Sequence, residues 1–324
     1  MKKVLVIRFS SIGDIVLTSP VVRCVKDQMN CEVHFLTKKQ FAEIAESNPN
    51  IKKVYSIEKR VLEVSKQLKK ENYDFVIDLH HNLRSAQVKT VLKKSSSSFS
   101  KLNIKKWLIV NFKLNNLPDV HIVDRYFETV KSLGVRNDLK GLDYFIPKKD
   151  EVDLKTLPVV FQSGYIGFVI GAKFATKQMP AEKIISIISK INQPFILLGG
   201  EDDFEKGEKI RSQAASHKVF NACGKYRLSQ SASLVKQAKK IITHDTGLMH
   251  IASAFKKEII SVWGNTIPEF GMIPYLPDKN SKMIQVKNLS CRPCSKLGYD
   301  TCPKGHFKCM NDISEEEIVS LCSQ

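Results

Sequence analysis

The sequence lacks any long hydrophobic run. No apolar stretch among its 324 residues approaches the roughly 18 residues that a membrane-spanning helix requires. The first stretch, MKKVLVIRFS, carries two lysines and an apolar run that is too short for a secretory signal, and no small-residue cleavage site follows it. We interpret this stretch as a first buried strand and expect a cytoplasmic protein.

Acidic residues are scarce relative to basic ones. The chain has 33 Asp and Glu against 51 Lys and Arg, a net charge of +18, with 29 basic and 18 acidic residues in 1–156 and 22 and 15 in the rest. Solubility alone explains such an excess as well as a partner does. Among partners, an anionic membrane surface or an acidic or phosphorylated substrate fits better than nucleic acid, because aromatic residues are not interleaved with the basic ones.

The sequence also lacks a G-x-G-x-x-G fingerprint and an internal repeat of short period, so the usual signature of dinucleotide binding is absent. Short apolar runs alternate instead with amphipathic segments, which is typical of parallel strands joined by crossover helices. The predicted strands are 4–9, 31–37, 54–57, 74–80, 165–172, 194–200, 239–244 and 258–264, and 93–101 is predicted as a polar loop.

Residues 136–165 lose this periodicity and separate two similar halves. We therefore predict an α/β protein with two Rossmann-like parallel-sheet domains, 1–155 and 156–324, that face a central cleft. The last helix, 313–324, begins with a capping box of Ser314 and Glu317 and is a candidate to pack back on the first domain.

Polar residues follow the first predicted strand in FSSIGDIVLTSP. Ser10, Ser11 and Gly13 form a tight turn at the carboxyl edge of the sheet, where parallel α/β proteins bind ligands. Asp14 stands in the first turn of the next helix. There it either favours the helix by under about 1 kcal/mol or acts as a catalytic base, and the pattern alone leaves both interpretations open.

A second junction between strand and helix carries His244, Asp245, Thr246 and Gly247, with His250 one turn into the helix. Free backbone N–H groups at a helix start bind anions, and a threonine hydroxyl adds a donor. The alternative interpretations are a helix cap for Asp245 and a packing residue for His250. Together the residues predict a diphosphate site.

Two more loops follow strands of the second half. GAKFATKQMP carries Lys173, Thr176 and Lys177, and lysines there suit a phosphate group, although solvated loop lysines are equally common. LLGGEDD places Glu201 where its carboxylate would accept hydrogen bonds from a ribose diol.

In the first half, DLHHNLRSA offers His80, His81 and Arg84 after the fourth predicted strand. No further ligand accompanies the histidines, so a metal site is not indicated. Arg84 fits an acidic acceptor, or is a solvated loop residue.

Four of the eight cysteines lie close together, and they are Cys291, Cys294, Cys302 and Cys309. The leading C-x2-C pair suits zinc, but the second pair is wider than the usual spacing. The cluster is either a structural zinc site or a set of reduced or partly paired thiols in a compact loop. We expect no catalytic role for it in either case.

IRFSSIGDIVLTSP, DLHHNLRSA, KQMP and HDTGLMHIASAF together resemble the lipopolysaccharide heptosyltransferases, glycosyltransferase family 9. The resemblance covers nearly the whole chain, with the motifs in the expected order. It implies the GT-B fold, with the acceptor in the first domain and the nucleotide-sugar in the second. It also implies an inverting transfer of heptose from ADP-heptose to the acidic sugar core of lipid A, with no metal or other cofactor required.

The resemblance assigns roles to individual residues. Asp14 matches the proposed general base, and Lys177 matches a lysine that contacts the donor phosphates. On the donor side the matched or neighbouring residues are Lys173, Thr176, Glu201, Asp245, Thr246, Gly247, Leu248 and His250, and on the acceptor side they are Ser10, Ser11, Gly13 and Arg84. The chain departs from the best-known inner-core enzymes at Lys173, where they carry a threonine pair.

The implied partners are an ADP-sugar, an acidic lipid-linked oligosaccharide and the inner face of the cytoplasmic membrane, and not nucleic acid. We expect a monomer. The alternatives are a nucleotide-sugar-binding protein on the GT-B fold that has lost catalysis, or an epimerase that uses another sugar nucleotide.

Overall fold

Parallel strands flanked by helices build two units in this protein. The computed structural model describes residues 1–214 and 218–323. The first unit comprises Met1–Leu102 and Val120–Phe145, and the second comprises Asn103–Asp119 and Ile146–Gln324.

The strands are short and mostly apolar. In chain order they are β1 (Lys3–Ile7), β2 (Glu32–Lys38), β3 (Lys53–Ile57), β4 (Phe75–Asp78), β5 (Ser96–Ser98), β6 (Ile166–Val169), β7 (Phe195–Leu198), β8 (Val219–Asn221), β9 (Lys240–His244), β10 (Glu258–Trp263) and β11 (Lys282–Gln285).

The helices connect these strands or extend beyond them. They are α1 (Ile12–Val16), α2 (Ser19–Met29), α3 (Ala42–Glu46), α4 (Leu62–Lys70), α5 (Leu83–Leu92), α6 (Asn103–Phe112), α7 (Ile122–Phe127), α8 (Val159–Gln162), α9 (Ala181–Ser189), α10 (Phe204–Gln213), α11 (Leu228–Gln237), α12 (Gly247–Ala254), α13 (Lys308–Asn311) and α14 (Glu315–Ser323).

The first sheet has the strand order β3-β2-β1-β4-β5, and all of its pairings are parallel. Val4 in β1 pairs with Val33 on one side and Phe75 on the other. Helices cover both faces of such a sheet, so its central strand is a continuous apolar run with Val4 to Ile7 fully buried.

The second sheet has the order β11-β10-β9-β6-β7-β8, again with parallel pairings. Its core cluster takes in Phe168 of β6, Leu197 of β7 and Ile242 of β9. The predicted architecture of two Rossmann-like parallel-sheet units is therefore confirmed.

Several elements differ from the prediction. The sequence of residues 13–28 has the spacing of a single helix, but the structure divides it into α1 and α2, with Pro20 in the first turn of α2. The polar loop predicted at 93–101 contains β5, a three-residue strand at the edge of the first sheet. An edge strand need not be apolar, which is why its serines gave no strand signal. Helix α6 and the strands β8 and β11 were not predicted.

The division of the chain also differs in detail from the predicted one. The first unit ends at Phe145 and the second resumes at Ile146, and the segment 103–119 also belongs to the second unit. The assignment of 1–155 and 156–324 as functional domains stays a prediction.

The carboxy-terminal helix packs on the second unit, so the expectation that it packs on the first is corrected. Ile318 and Cys322 of α14 are buried in the same cluster as Ile184 and Ile187 of α9. The Ser314 hydroxyl accepts a hydrogen bond from the Glu317 amide at 3.1 Å, as the capping pattern predicts. The sequence DDFEKGEKIRSQAA, residues 202–215, also predicts a helix, and its last residue, Ala215, lies outside the described residues, as does Gln324 at the end of the helix predicted at 313–324.

No helix in the described ranges is long and apolar enough to cross a membrane.

The buried face of α14 predicts a stability effect. Ile318→Ala should lower the free energy of unfolding by about 2–5 kcal/mol, because it removes buried methyl groups and leaves a cavity. Glu316→Ala, on the exposed side of the same helix, should leave it nearly unchanged. Urea unfolding followed by tryptophan fluorescence measures both. Equal effects of the two substitutions would contradict this packing.

Candidate functional site

The first site segment begins where β1 ends. Ser11 is the N-cap of α1, and its amide and hydroxyl donate hydrogen bonds to Asp14 Oδ2 at 2.9 and 2.8 Å. Ser10 is half-buried, Ser11 is exposed and Gly13 is buried. The turn thus holds the Asp14 carboxylate at the carboxyl edge of the first sheet, where ligands bind in parallel α/β units.

Arg8, which no motif singled out, is buried beside that carboxylate. Its Nη2 lies 2.6 Å from Asp14 Oδ1. The other guanidinium nitrogens donate to the Ser10 carbonyl at 2.7 Å, to the Leu79 carbonyl at 2.5 Å and to the Tyr126 hydroxyl at 3.0 Å. Because its planar donors are fixed by partners just after β1, just after β4 and in α7, the guanidinium in turn fixes the orientation of Asp14.

The protonation state of Asp14 follows from these contacts. Burial raises the pKa of the carboxyl, but the Arg8 guanidinium and the hydrogen bonds from Ser11 lower it by more, so the pKa lies below its ordinary value. Asp14 is therefore ionised at neutral pH. An ionised carboxylate is the form that accepts a proton, as a general base must.

His80 lies in the same polar environment. Its ring packs edge-on against Phe9, with the ring centroids 5.3 Å apart. Burial, and then the charges of Arg8 and Lys101, lower the pKa of His80 to about 4. His80 is consequently neutral at pH 7 and adds no charge beside Asp14.

The other two basic residues predicted after β4 have local partners. Nδ1 of His81 lies 2.8 Å from the Phe99 carbonyl oxygen. Arg84 is exposed, and its Nε donates to the Lys59 carbonyl at 3.2 Å. This contact holds Arg84 against the loop after β3, so its role with an acceptor stays a prediction.

The second sheet brings two distant motifs together at its carboxyl edge. Lys177 follows β6 and Asp245 follows β9, and these strands are neighbours in the sheet. The Lys177 Nζ donates to Asp245 Oδ2 at 2.5 Å, and the Thr266 hydroxyl donates to the same oxygen at 3.0 Å. Asp245 thereby positions the Lys177 ammonium beside the start of α12.

Helix α12 begins at Gly247, and its N-cap is Thr246 rather than Asp245. The Thr246 hydroxyl lies 3.4 Å from the Thr243 hydroxyl and makes no capping bond to the helix. Gly247 and Leu248 are half-buried. The first-turn amides carry partial positive charge, and with Lys177 next to them they form an arrangement suited to a phosphate group.

His250 is placed differently from the residues before it. Its side chain is buried, one turn into α12. This burial agrees with its alternative interpretation as a packing residue, and its contact with a donor stays a prediction.

Three further residues that were predicted to bind the nucleotide-sugar differ in their exposure. Thr176 is buried, its hydroxyl donates to the Tyr299 carbonyl at 3.0 Å and accepts from the Tyr299 amide at 2.8 Å. It therefore fastens the cysteine-containing segment to the loop that carries Lys177, and its contact with a donor stays a prediction. Lys173 is exposed, with Nζ 5.6 Å from the Phe174 ring centroid, and Glu201 is exposed in a 3₁₀ turn after β7.

A polar network fixes the loop that carries Lys177. Asp203 Oδ2 accepts a hydrogen bond from the Gly200 amide at 2.9 Å, and a Cβ at Gly171 would lie 2.0 Å from the same oxygen. Lys206 donates to Gln178 Oε1 at 3.0 Å, and burial lowers its pKa to about 8. Only glycine at 171 lets the Asp203 carboxylate approach the end of β6. The loops GAKFATKQMP and LLGGEDD are therefore packed against each other.

Comparison with known proteins decides the family. The family model described as glycosyltransferase family 9 (heptosyltransferase) matches residues 61–302.

The chain belongs to glycosyltransferase family 9.

Two relatives of this glycosyltransferase are heptosyltransferases from Campylobacter species. It is 24% identical to lipopolysaccharide heptosyltransferase 1 of Campylobacter coli, over 99% of this chain and 98% of that protein. It is 25% identical to lipooligosaccharide heptosyltransferase 2 of Campylobacter jejuni, over 95% and 93%.

The solved structure of E. coli ADP-heptose lipopolysaccharide heptosyltransferase II superposes with a TM-score of 0.74 at 19% identity, covering 100% of this chain and 98% of that chain. The fold of the glycosyltransferase is therefore GT-B, with two Rossmann-like parallel-sheet domains.

The cysteines of the glycosyltransferase are all free thiols. Cys291 Sγ lies 3.8 Å from His306 Nε2. Burial raises the pKa of Cys294, and it raises the pKa of Cys309 to about 12. Within 1–214 and 218–323, no three or more His, Cys, Asp or Glu side chains are arranged to hold a metal ion. The structural zinc that the spacing suggests at Cys291, Cys294, Cys302 and Cys309 stays a prediction.

Sequence reasoning missed the partners of the candidate catalytic groups. Arg8 could have been noticed, because it is a charge placed directly after a fully apolar strand and must be paired if buried. Tyr126 and Thr266 gave no signal, since they lie in a helix and a loop with ordinary composition and reach the site only through the fold.

The Arg8–Asp14 pair makes the glycosyltransferase sensitive to substitution at Arg8. In Arg8→Gln the pKa of Asp14 should rise, because burial would no longer be opposed by a buried cation, and stability should fall by about 3–5 kcal/mol. Carboxyl carbon NMR titration and urea unfolding measure these two effects.

The pH dependence of this pair has a definite sign. The folded-state pKa of Asp14 is lowered, so the stabilisation is complete above the unfolded value of about 3.9 and is lost as the pH falls through the folded pKa. In Arg8→Gln the folded-state pKa of Asp14 rises toward the unfolded value, so this pH-dependent stabilisation should be smaller than in the wild type. An unshifted Asp14 titration would show that Arg8 does not control the carboxylate.

Proposed function

We propose that this glycosyltransferase transfers heptose from ADP-heptose to an acidic sugar of the lipopolysaccharide inner core, with inversion at the anomeric carbon. The observation that carries the proposal is the pairing of Lys177 with Asp245 at the start of α12. It places the Lys177 ammonium and the first backbone amides of α12 at the same edge of the second sheet. Together they can stabilise the negative charge of a departing diphosphate.

On the donor side, the bond between the anomeric carbon and the diphosphate oxygen breaks, and ADP leaves with growing negative charge. Lys177 and the amides of Gly247 and Leu248 would stabilise that charge, and preorganised donors of this kind contribute roughly 3–4 kcal/mol each. Glu201 would accept hydrogen bonds from the ribose, and Lys173 would approach the phosphates from the solvent side. These contacts make a further metal unnecessary for the leaving group.

On the acceptor side, Asp14 would take the proton from the attacking hydroxyl. Arg8 and Ser11 hold its carboxylate ionised and oriented before the acceptor arrives. No general acid is required, because the diphosphate leaves without being protonated. Attack from the face opposite ADP inverts the anomeric configuration.

The choice of donor and acceptor draws on relatives as well as chemistry. One solved relative is named an ADP-heptose heptosyltransferase and the curated relatives act on lipopolysaccharide or lipooligosaccharide by name. The net charge of +18 suits an acidic acceptor at an anionic membrane surface on the cytoplasmic side. A monomer stays our expectation.

Asp14→Asn should lower the rate of transfer by about 10²–10⁴-fold, because the amide cannot take the proton. Binding of ADP should stay within a fewfold of the wild type, since Asp14 and the donor residues are on different units. Transfer is measured by ADP release with acceptor present, and ADP binding by calorimetry. A variant that retains full transfer would refute Asp14 as the base, and wild-type protein that binds ADP but transfers nothing would favour a binding protein.

Lys177→Ala should weaken ADP binding and also lower the rate of transfer by about 10²–10³-fold. Lys279→Ala, an exposed lysine of the same unit, is the matched control and should change neither. A thermal-shift panel of ADP, UDP and GDP reports the donor class, because stabilisation grows with affinity. If UDP stabilised the protein more than ADP, the proposed donor would be wrong.

A further inference from the structure

Helix α6 is apolar on two opposite faces. Its inner face packs Ile109 in a cluster with Ile267 and Phe270, and Val110 lies against the same cluster. A surface helix normally carries polar residues on the side away from the core. In α6 that side also carries large apolar residues.

The outward side of α6 exposes large apolar residues. Ile104 is 77% exposed, Trp107 54% and Phe112 59%, and Leu114 just after the helix is 55% exposed. At 3.6 residues per turn, Ile104 and Trp107 fall on the half of the helix opposite Ile109, while Phe112 is exposed at the carboxyl end of the helix. The Trp107 and Phe112 rings touch edge to face with centroids 5.3 Å apart, so they form one surface. We name these four residues the α6 apolar face.

The α6 apolar face is held rigidly by the second unit. Lys113 donates hydrogen bonds to the Pro293 carbonyl at 2.8 Å and to the Val110 carbonyl at 2.8 Å. Lys106 places its Nζ 5.6 Å from the Phe270 ring centroid. The exposed rings are therefore presented by a fixed helix and not by a loose end.

The chain around α6 carries charge of one sign. Between Asp78 and Asp119 the sequence contains no acidic residue. The same stretch contains eight basic residues, of which Lys105, Lys106 and Lys113 belong to α6 or follow it directly in the same unit, and the other five belong to the first unit. A partner for this segment must therefore accept apolar side chains and carry negative charge.

We propose that the α6 apolar face is the membrane-docking surface of this protein and that its partner is an anionic lipid bilayer. Trp, Phe and Leu side chains flanked by lysines are the composition of helices that lie in the membrane interface. Apolar groups enter the acyl boundary while the lysine ammoniums stay at the headgroups. A protein partner would have to supply a surface that is both apolar and rich in carboxylates, and a second copy of this basic chain does not.

This docking proposal rests on one part of the proposed function, which is that the protein acts at an anionic membrane surface. Vesicle binding is measured without donor or acceptor. A failure of docking would leave sugar transfer intact, and a failure of transfer would leave docking intact.

The protein carries its own probe for the test. It has two tryptophans, of which Trp263 is 1% exposed and Trp107 lies on the α6 apolar face. The full chain is mixed with vesicles of phosphatidylcholine alone or with about a third phosphatidylglycerol. We expect a blue shift of tryptophan emission, and quenching by brominated acyl chains, with the anionic vesicles only.

Matched variants separate the contributions of apolar area and charge. Trp107→Ser with Phe112→Ser should lower the vesicle partition coefficient, measured by co-sedimentation, by at least about tenfold. Leu62→Ser with Val159→Ser, also exposed apolar residues but outside α6, should leave it unchanged. Lys105→Gln should weaken binding to the anionic vesicles by about fivefold and not affect the neutral ones.

Three results would overturn the proposal. One is equal vesicle binding by the Trp107→Ser, Phe112→Ser variant and the wild type, and another is no binding of the wild type to anionic vesicles. The third is a wild-type dimer in sedimentation velocity that the same double variant dissociates, since this would assign the α6 apolar face to contact between copies. Circular dichroism confirms that each variant retains the wild-type helix content.

Discussion

The parallel direction of all paired strands is the constraint on which both candidate sites depend. When neighbouring strands run the same way, the loops that follow them gather at one edge of the sheet. In the first sheet this brings Arg8, after β1, to the carbonyl of Leu79, after β4. In the second it brings Lys177, after β6, to Asp245, after β9. Buried apolar strands thus bring polar groups that are far apart in the sequence into contact.

At both edges a carboxylate is paired with a cation, but the two pairs have different consequences. Arg8 is buried and uses its other donors on the backbone and Tyr126, so it orients Asp14 and keeps it ionised. Lys177 is held by one carboxylate beside the amides of α12, where its ammonium adds to their partial charge. In the proposed reaction, the first edge would receive a proton and the second would receive the negative charge of the leaving group.

The sequence predicts those parts of the structure in which the local environment restricts the residue types. Continuous apolar strands such as β1 and β9, and the polar turns that follow them, were evident because burial on both faces leaves few alternatives. The edge strand β5 was not evident from the sequence, because an edge strand tolerates serine. Helix α6 was not, because apolar residues on both of its faces hide the usual periodicity. The partner of Thr176 was not, because Tyr299 is more than a hundred residues away and only the folded chain joins them.

The outermost strands have a consequence for how molecules of this protein meet one another. β5 and β8 are three residues long, and the opposite edges, β3 and β11, each begin with an exposed lysine, Lys53 and Lys282. Short, charged margins offer a neighbouring chain few free backbone groups and an unfavourable site for strand addition. The most aggregation-prone stretches, the valine- and isoleucine-rich central strands, are thereby shielded from intermolecular β-pairing at high protein concentration.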